Sequence, residues 1–149
     1  MKIYLASSWR NERQPAVLAA LRSAGHEVYD FRNPAPGDSG FGWREIDEHW
    51  IDWTPDEFIR ALEHPIADHG FSLDMNALRW CEACVLLLPC GRSAHLELGW
   101  ACGAGKKTVV IIEEYTCPGC GHNTTFTVRR MVWSSHESWW RRQVRLACG

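Results

Sequence analysis

Two short apolar runs constrain this chain most: CVLLL at residues 84–88 and TVVII at residues 108–112. A strand with one wet face alternates apolar and polar residues, and these do not. Both faces must be covered, the condition of a parallel sheet flanked by helices. Ser93 is placed to cap a helix between them that ends near Gly103–Gly105. Upstream, residues 2–7 (KIYLAS) predict a strand. Val17, Leu18, Leu21 and Ala24 share one face of a helix over 15–24, Gly25 closes it, and 26–31 (HEVYDF) predict a second strand. Strand, ten-residue helix and strand form a βαβ unit. The whole pattern predicts an α/β fold with a doubly wound, mainly parallel sheet, a flavodoxin-like three-layer sandwich.

Residues 33–42 are rich in Pro, Gly, Asn, Asp and Ser and predict a loop. Trp43, Ile46, Trp50 and Trp53 then recur at three- and four-residue spacing, one face of a short helix. Thr54-Pro55-Asp56-Glu57 combines a cap, a proline at the first helical position and a glutamate three beyond the cap. Pro65 opens a further helix, expected to bend near Gly70.

A length of 149 residues suits one domain. No run of 18 apolar residues occurs and the start turns polar after five, so no membrane association and a cytoplasmic location are expected. The net charge of −2 argues against binding a nucleic-acid polymer. Charge is unevenly spread: residues 1–114 carry 11 basic and 17 acidic side chains, residues 115–149 carry 5 and 1. The second segment is therefore set apart as a tail. Seven cysteines in a cytoplasmic chain imply reduced thiols.

In a doubly wound sheet ligands bind beyond the carboxyl ends of the strands. Glu97 falls there, early in the helix after the third strand. A glutamate titrating near ~4.3 can absorb about 3.7 kcal/mol of desolvation before it is half protonated at pH 7, so it is expected to stay ionised unless fully buried. Such a carboxylate suits nucleophilic or electrostatic work; the alternative is a solvated residue of the helix's first turn.

Three stretches carry a resemblance. Ile3-Tyr4-Leu5-Ala6 with Trp9 and Glu12-Arg13-Gln14, then Asp74 ahead of the third strand, then Glu97-Leu98-Gly99-Trp100-Ala101 with Gly105-Lys106 resemble the nucleoside 2-deoxyribosyltransferase family and its relatives that hydrolyse nucleoside 5′-monophosphates. The resemblance covers residues 1–113 and implies a catalytic domain over 1–114, a small-molecule nucleoside or nucleotide substrate, and a homo-oligomer. It implies that Glu97 attacks the anomeric carbon, that Tyr4 orients Glu97, and that Asp74 contacts or protonates the leaving base, with no cofactor in the chemistry. Substrate contacts are implied for Ala6, Ser8, Trp9, Arg10, Gly91, Arg92 and Ser93.

The chain departs from the transferases before the nucleophile, where they carry an aspartate and this chain reads Cys90-Gly91-Arg92-Ser93. An arginine and a serine at a helix start suit a phosphate. Ser8-Trp9-Arg10 resembles the hydrolases' first loop, without its flanking glycines. Nucleoside and monophosphate, transfer and hydrolysis all stay open. So do a non-catalytic nucleotide-sensing module and a dinucleotide-cleaving relative. His95 is expected to cover the start of its helix. In the tail, Cys117-Pro118-Gly119-Cys120-Gly121-His122 resembles one knuckle of a zinc ribbon, with Cys117 and Cys120 as candidate ligands of a structural zinc. The remaining ligands would come from His122, His136, Cys148 or a second chain. Cys81 and Cys84 share the spacing but are expected to pack as small apolar residues.

Overall fold

The computed structural model describes residues 1–112, 115–116, 123–124 and 127–131. Four strands run parallel: β1 (Lys2–Ala6), β2 (Glu27–Tyr29), β3 (Ala83–Leu87) and β4 (Lys107–Ile112). Tyr115–Thr116 (β5) and Asn123–Thr124 (β6) pair separately. β7 (Thr127–Met131) lies antiparallel to β4 and gives the main sheet the order β2-β1-β3-β4-β7. The chain leaves β1 towards β2 on one side and returns to β3 on the other. β1 and β3 therefore flank the switch point of a flavodoxin-like sheet, where the crevice for a ligand forms.

Side-chain alternation divides the core into two layers. Ile3, Leu5, Val28, Val85 and Leu87 face α1 (Gln14–Ser23), meeting Leu18 with Val17 and Leu21. Tyr4, Ala6, Cys84, Leu86 and Val110 face the other way, onto Ala77 and Leu78 of α3 (Pro65–Trp80) and Ala94, Leu98 and Ala101 of α4 (Arg92–Gly103). All five residues of β3 are buried, as its unbroken apolar run requires. The expected three-layer sandwich is the observed one.

Local signals set several boundaries. Gly25 adopts φ +81° and lets the chain turn from α1 into β2. At the start of α2 (Pro55–Leu62), Thr54 Oγ1 accepts from the Glu57 amide while Glu57 Oε2 accepts from the Thr54 amide, at 3.3 and 2.8 Å. Lys106 donates through Nζ to the carbonyls of Arg79 and Cys81, closing the end of α3. The Gly-Lys pair of the resemblance thus has a structural task here.

Two expectations are corrected. Gly91, not Ser93, precedes the first residue of α4, and Ser93 is exposed one position inside the helix. The tryptophan segment is two 3-10 turns, Trp43–Glu45 and Trp50–Asp52, rather than one α-helix. Asp47 explains the break: its carboxylate accepts the His49 amide at 2.9 Å and the Trp53 indole N–H at 2.7 Å, an Asx-type turn that competes with helical bonding. Trp43 packs its ring against Phe41, Trp53 and Phe58, forming a satellite aromatic cluster. α3 is helical through Gly70, where the glycine has a packing role. A Cβ there would stand 2.6 Å from the Cβ of Phe41.

This contact predicts opposite outcomes for two helix glycines. Gly70→Ala should destabilise the chain by ~1–3 kcal/mol through overpacking. Gly99→Ala meets no atom within 4 Å and should be neutral or stabilising by up to ~1 kcal/mol. Urea unfolding of both variants checks this; equal effects would contradict it.

Candidate active site

The site is assembled at the carboxyl side of the switch point. In the parallel register Tyr4 lies beside Tyr29 on β2 and beside Cys84 on β3. The two tyrosine rings stack, with centroids 5.2 Å apart and planes 19° apart. Across the layer, α3 presents Asp74, and the Tyr29 hydroxyl donates to Asp74 Oδ1 at 2.9 Å. Glu97, the sixth residue of α4, is partly buried and faces the same space. It therefore lies beyond the first helical turn, where the helix dipole has little hold on it.

Electrostatics identify Glu97 and Asp74 as neighbours. Burial and then the Asp74 charge push the Glu97 carboxyl up to about 7, and Tyr4 partly opposes this. Burial also raises Asp74, against hydrogen bonding to Tyr29 and Tyr4. The Tyr4 hydroxyl is buried and finds no partner at full hydrogen-bonding geometry among the described residues. It is nonetheless close enough to favour the ionised form of both acids, so it sits between them rather than committed to either. Both tyrosines are themselves pushed up, by burial first and by the carboxylates next, and stay protonated donors. From sequence Glu97 is expected to stay ionised unless fully buried; burial and the adjacent Asp74 charge raise its carboxyl to about 7.

The two loops at this edge are tied together. Ser7 Oγ donates to the Leu87 carbonyl at 3.1 Å, and Asn11 Nδ2 donates to the Pro89 carbonyl at 3.1 Å. Within the first loop the Asn11 amide donates to the Ser8 carbonyl, and the Arg10 amide to Ser8 Oγ. Ser8 is partly buried, and Trp9 and Arg10 are exposed. Gly91, Arg92 and Ser93 are exposed at the start of α4. Ala6 is fully buried, so its methyl group belongs to the core and only its backbone could meet a ligand. The structure therefore brings Tyr4, Asp74 and Glu97 into one constellation, with Ser8, Trp9 and Arg10 on the adjoining first loop, Gly91, Arg92 and Ser93 at the start of α4, and Ala6 in the core at the end of β1.

Two neighbours of Glu97 stay outside that constellation. His95 folds back, its Nδ1 2.9 Å from the Gly91 carbonyl, and covers the helix start as expected. Cys90 lies 3.5 Å from that imidazole, but burial and the Glu97 charge push its thiol up, away from a reactive thiolate. Cys81 and Cys84 are buried, the Cys81 thiol donating to the Leu78 carbonyl. No cluster of His, Cys, Asp or Glu able to hold a metal occurs among the described residues. Cys117 and Cys120 lie outside the described residues, as do His122, His136 and Cys148.

Tyr29 escaped sequence reasoning. Its only signal was position: it is the last residue of a short strand whose pairing with β1 sets it beside Tyr4.

The raised Glu97 carboxyl has a consequence for stability. A carboxyl that titrates near 4.5 when unfolded and about 7 when folded contributes stability that is complete below 4.5 and is lost as pH rises through 7. Glu97→Gln removes the buried charge. It should be more stable than the parent at pH 8, by roughly 3 kcal/mol at most, and melt at a higher temperature, with the gap closing by pH 5. No gap in melting temperature at pH 8 would contradict this.

No family model matches the chain, and no curated protein matches it. Among solved structures two chains match. One is described as the structure of Clostridium botulinum CMP N-glycosidase, BcmB. It is 18% identical, with 74% of this chain and 67% of that chain covered and a TM-score of 0.37, a likeness too distant to carry an argument about function.

Proposed function

We propose that this chain is an enzyme that breaks the N-glycosidic bond of a nucleoside or its 5′-monophosphate, by a retaining route through Glu97. The observation that carries the reading is the convergence of Glu97, Asp74 and Tyr4 at the sheet's switch point. In its ionised form Glu97 attacks the anomeric carbon. The carbon–oxygen bond forms as the carbon–nitrogen bond breaks, and the bonding pair leaves with the base. Asp74, its neighbour, takes up the proton that Glu97 gives up on ionising and passes it to the departing base. Tyr29 fixes the Asp74 rotamer through its 2.9 Å bond. Water, or a second base, then attacks the anomeric carbon and gives its proton to Asp74, while the carbon–oxygen bond to Glu97 breaks and frees the carboxylate.

Arg92 and Ser93 at the start of α4, with Ser8 and Arg10 on the facing loop, offer donors for a 5′-phosphate, which favours the monophosphate. Exposed Leu96, Trp100 and Phe71 on α4 and α3 support association of copies through these helices. The cysteine knuckle at Cys117 and Cys120 is proposed to hold a structural zinc, separate from the chemistry. No described helix is long and apolar enough to cross a membrane. The cytoplasm is the proposed location.

Chromatography of nucleosides and monophosphates incubated with the chain, with and without a second free base, tests the proposal. Free base should appear from at least one substrate, and an exchanged nucleoside would assign transfer rather than hydrolysis. Glu97→Ala should lower the rate by at least ~10³-fold and Asp74→Asn by ~10²–10⁴-fold. An unchanged rate in Glu97→Ala, or no release from any substrate, would overturn the proposal.

A further inference from the structure

Arg32, just beyond β2, touches neither carboxyl of the constellation, yet it holds more of the first loop than any residue within that loop. Its Nη2 lies within hydrogen-bond distance of three loop carbonyls, those of Ser8, Trp9 and Asn11, at 3.0, 2.9 and 3.0 Å, and its two N–H groups are shared among them. The guanidinium carbon also stands 5.7 Å from the ring centroids of Trp9 and Phe31, which meet edge to face at 5.3 Å. Arg32 is itself held: its amide donates to Asp30 Oδ1, which also accepts from Gln14 Nε2 at 2.8 Å, and Asp30 Oδ2 accepts from Asn33. Asp30 and Gln14 are buried.

Outside this arrangement the chain closes over Trp9. Gly40 adopts φ +78°, and a Cβ there would stand 2.9 Å from the Trp9 ring and collide with the Phe31 carbonyl. One face of the loop is therefore fixed by β2 and its following turn, and the Trp9 side chain keeps half its surface exposed.

We propose that Arg32 is a positioning residue that presets loop 8–11 for substrate. It does so by binding three loop carbonyls with one planar cation and bracing Trp9 against Phe31. The role rests on the functional reading above, in which Ser8, Trp9 and Arg10 contact the substrate. The guanidinium matters because it sets one Nη2 among three carbonyls while its central carbon stays 5.7 Å from both the Trp9 and Phe31 rings, which the point charge of an ammonium does not reproduce. Loss of the brace leaves Glu97, Asp74 and Tyr4 in place. Binding should then suffer and the chemical step should not.

The test uses the full chain with Arg32→Met and Arg32→Lys. Hydrogen exchange followed by mass spectrometry reads the peptide spanning residues 8–11, and steady-state kinetics reads KM against kcat. Arg32→Met should speed exchange in that peptide by at least about tenfold and raise KM by at least about tenfold, with kcat within about threefold of the parent. Arg32→Lys should fall between the two, and it carries both readouts should Arg32→Met fail to fold. Unchanged exchange, or faster exchange with unchanged KM, overturns the proposal. Should the parent chain release no base from any substrate, the functional reading fails on its own. The exchange result then still decides whether Arg32 presets the loop.

Discussion

The site depends on one costly juxtaposition: Glu97 and Asp74 are withdrawn from water and set against each other. Desolvation of a carboxyl without full hydrogen bonding favours its neutral form, and a second carboxyl nearby does the same. The fold opposes this with two phenol donors rather than a cation. Tyr29 binds Asp74 outright, and Tyr4 stands between the acids without full commitment to either. A lysine or arginine in that place would hold both acids ionised. Phenols leave both carboxyls raised, with Glu97 pushed up to about 7 beside the Asp74 charge.

That arrangement needs a rigid frame, and the sheet supplies it. Tyr4 and Tyr29 are partners in the parallel register of β1 and β2, so a slip of one strand by one residue would turn its tyrosine away from α3. Their stacking and their common reach towards Asp74 follow from the ladder rather than from local loop structure. The loops at the switch point are fixed in turn by hydrogen bonds between distant segments, Asn11 to Pro89 and Ser7 to Leu87. Sheet register positions the acids, and cross-loop bonds position the rim.

Much of this frame was legible in residue order. The unbroken apolar runs at β3 and β4, the βαβ unit and the Thr54 capping box are local patterns, and they mark the observed elements to within a residue or two. The tryptophan segment misled because its spacing fits a helix while Asp47 supplies a competing turn. β7 left no clear signal: Thr127-Val128-Arg129-Arg130-Met131 does not alternate cleanly, and it lies at the sheet edge, where charge is tolerated. Tyr4, Asp74 and Glu97 were singled out by resemblance rather than by periodicity. Tyr29 and Arg32 were not, because their partners lie 45 and 21 to 24 residues away and only the folded sheet brings them together.

The central claim is that two desolvated carboxyls share a site, and carbon-13 NMR titration of the side-chain carboxyls tests it most directly. The Glu97 resonance should titrate with a midpoint near 7 in the parent chain and at a lower pH in Asp74→Asn, where the neighbouring charge is gone. A Glu97 midpoint near the ordinary 4.5, unmoved by Asp74→Asn, would show a solvated side chain without its neighbour and would contradict the account.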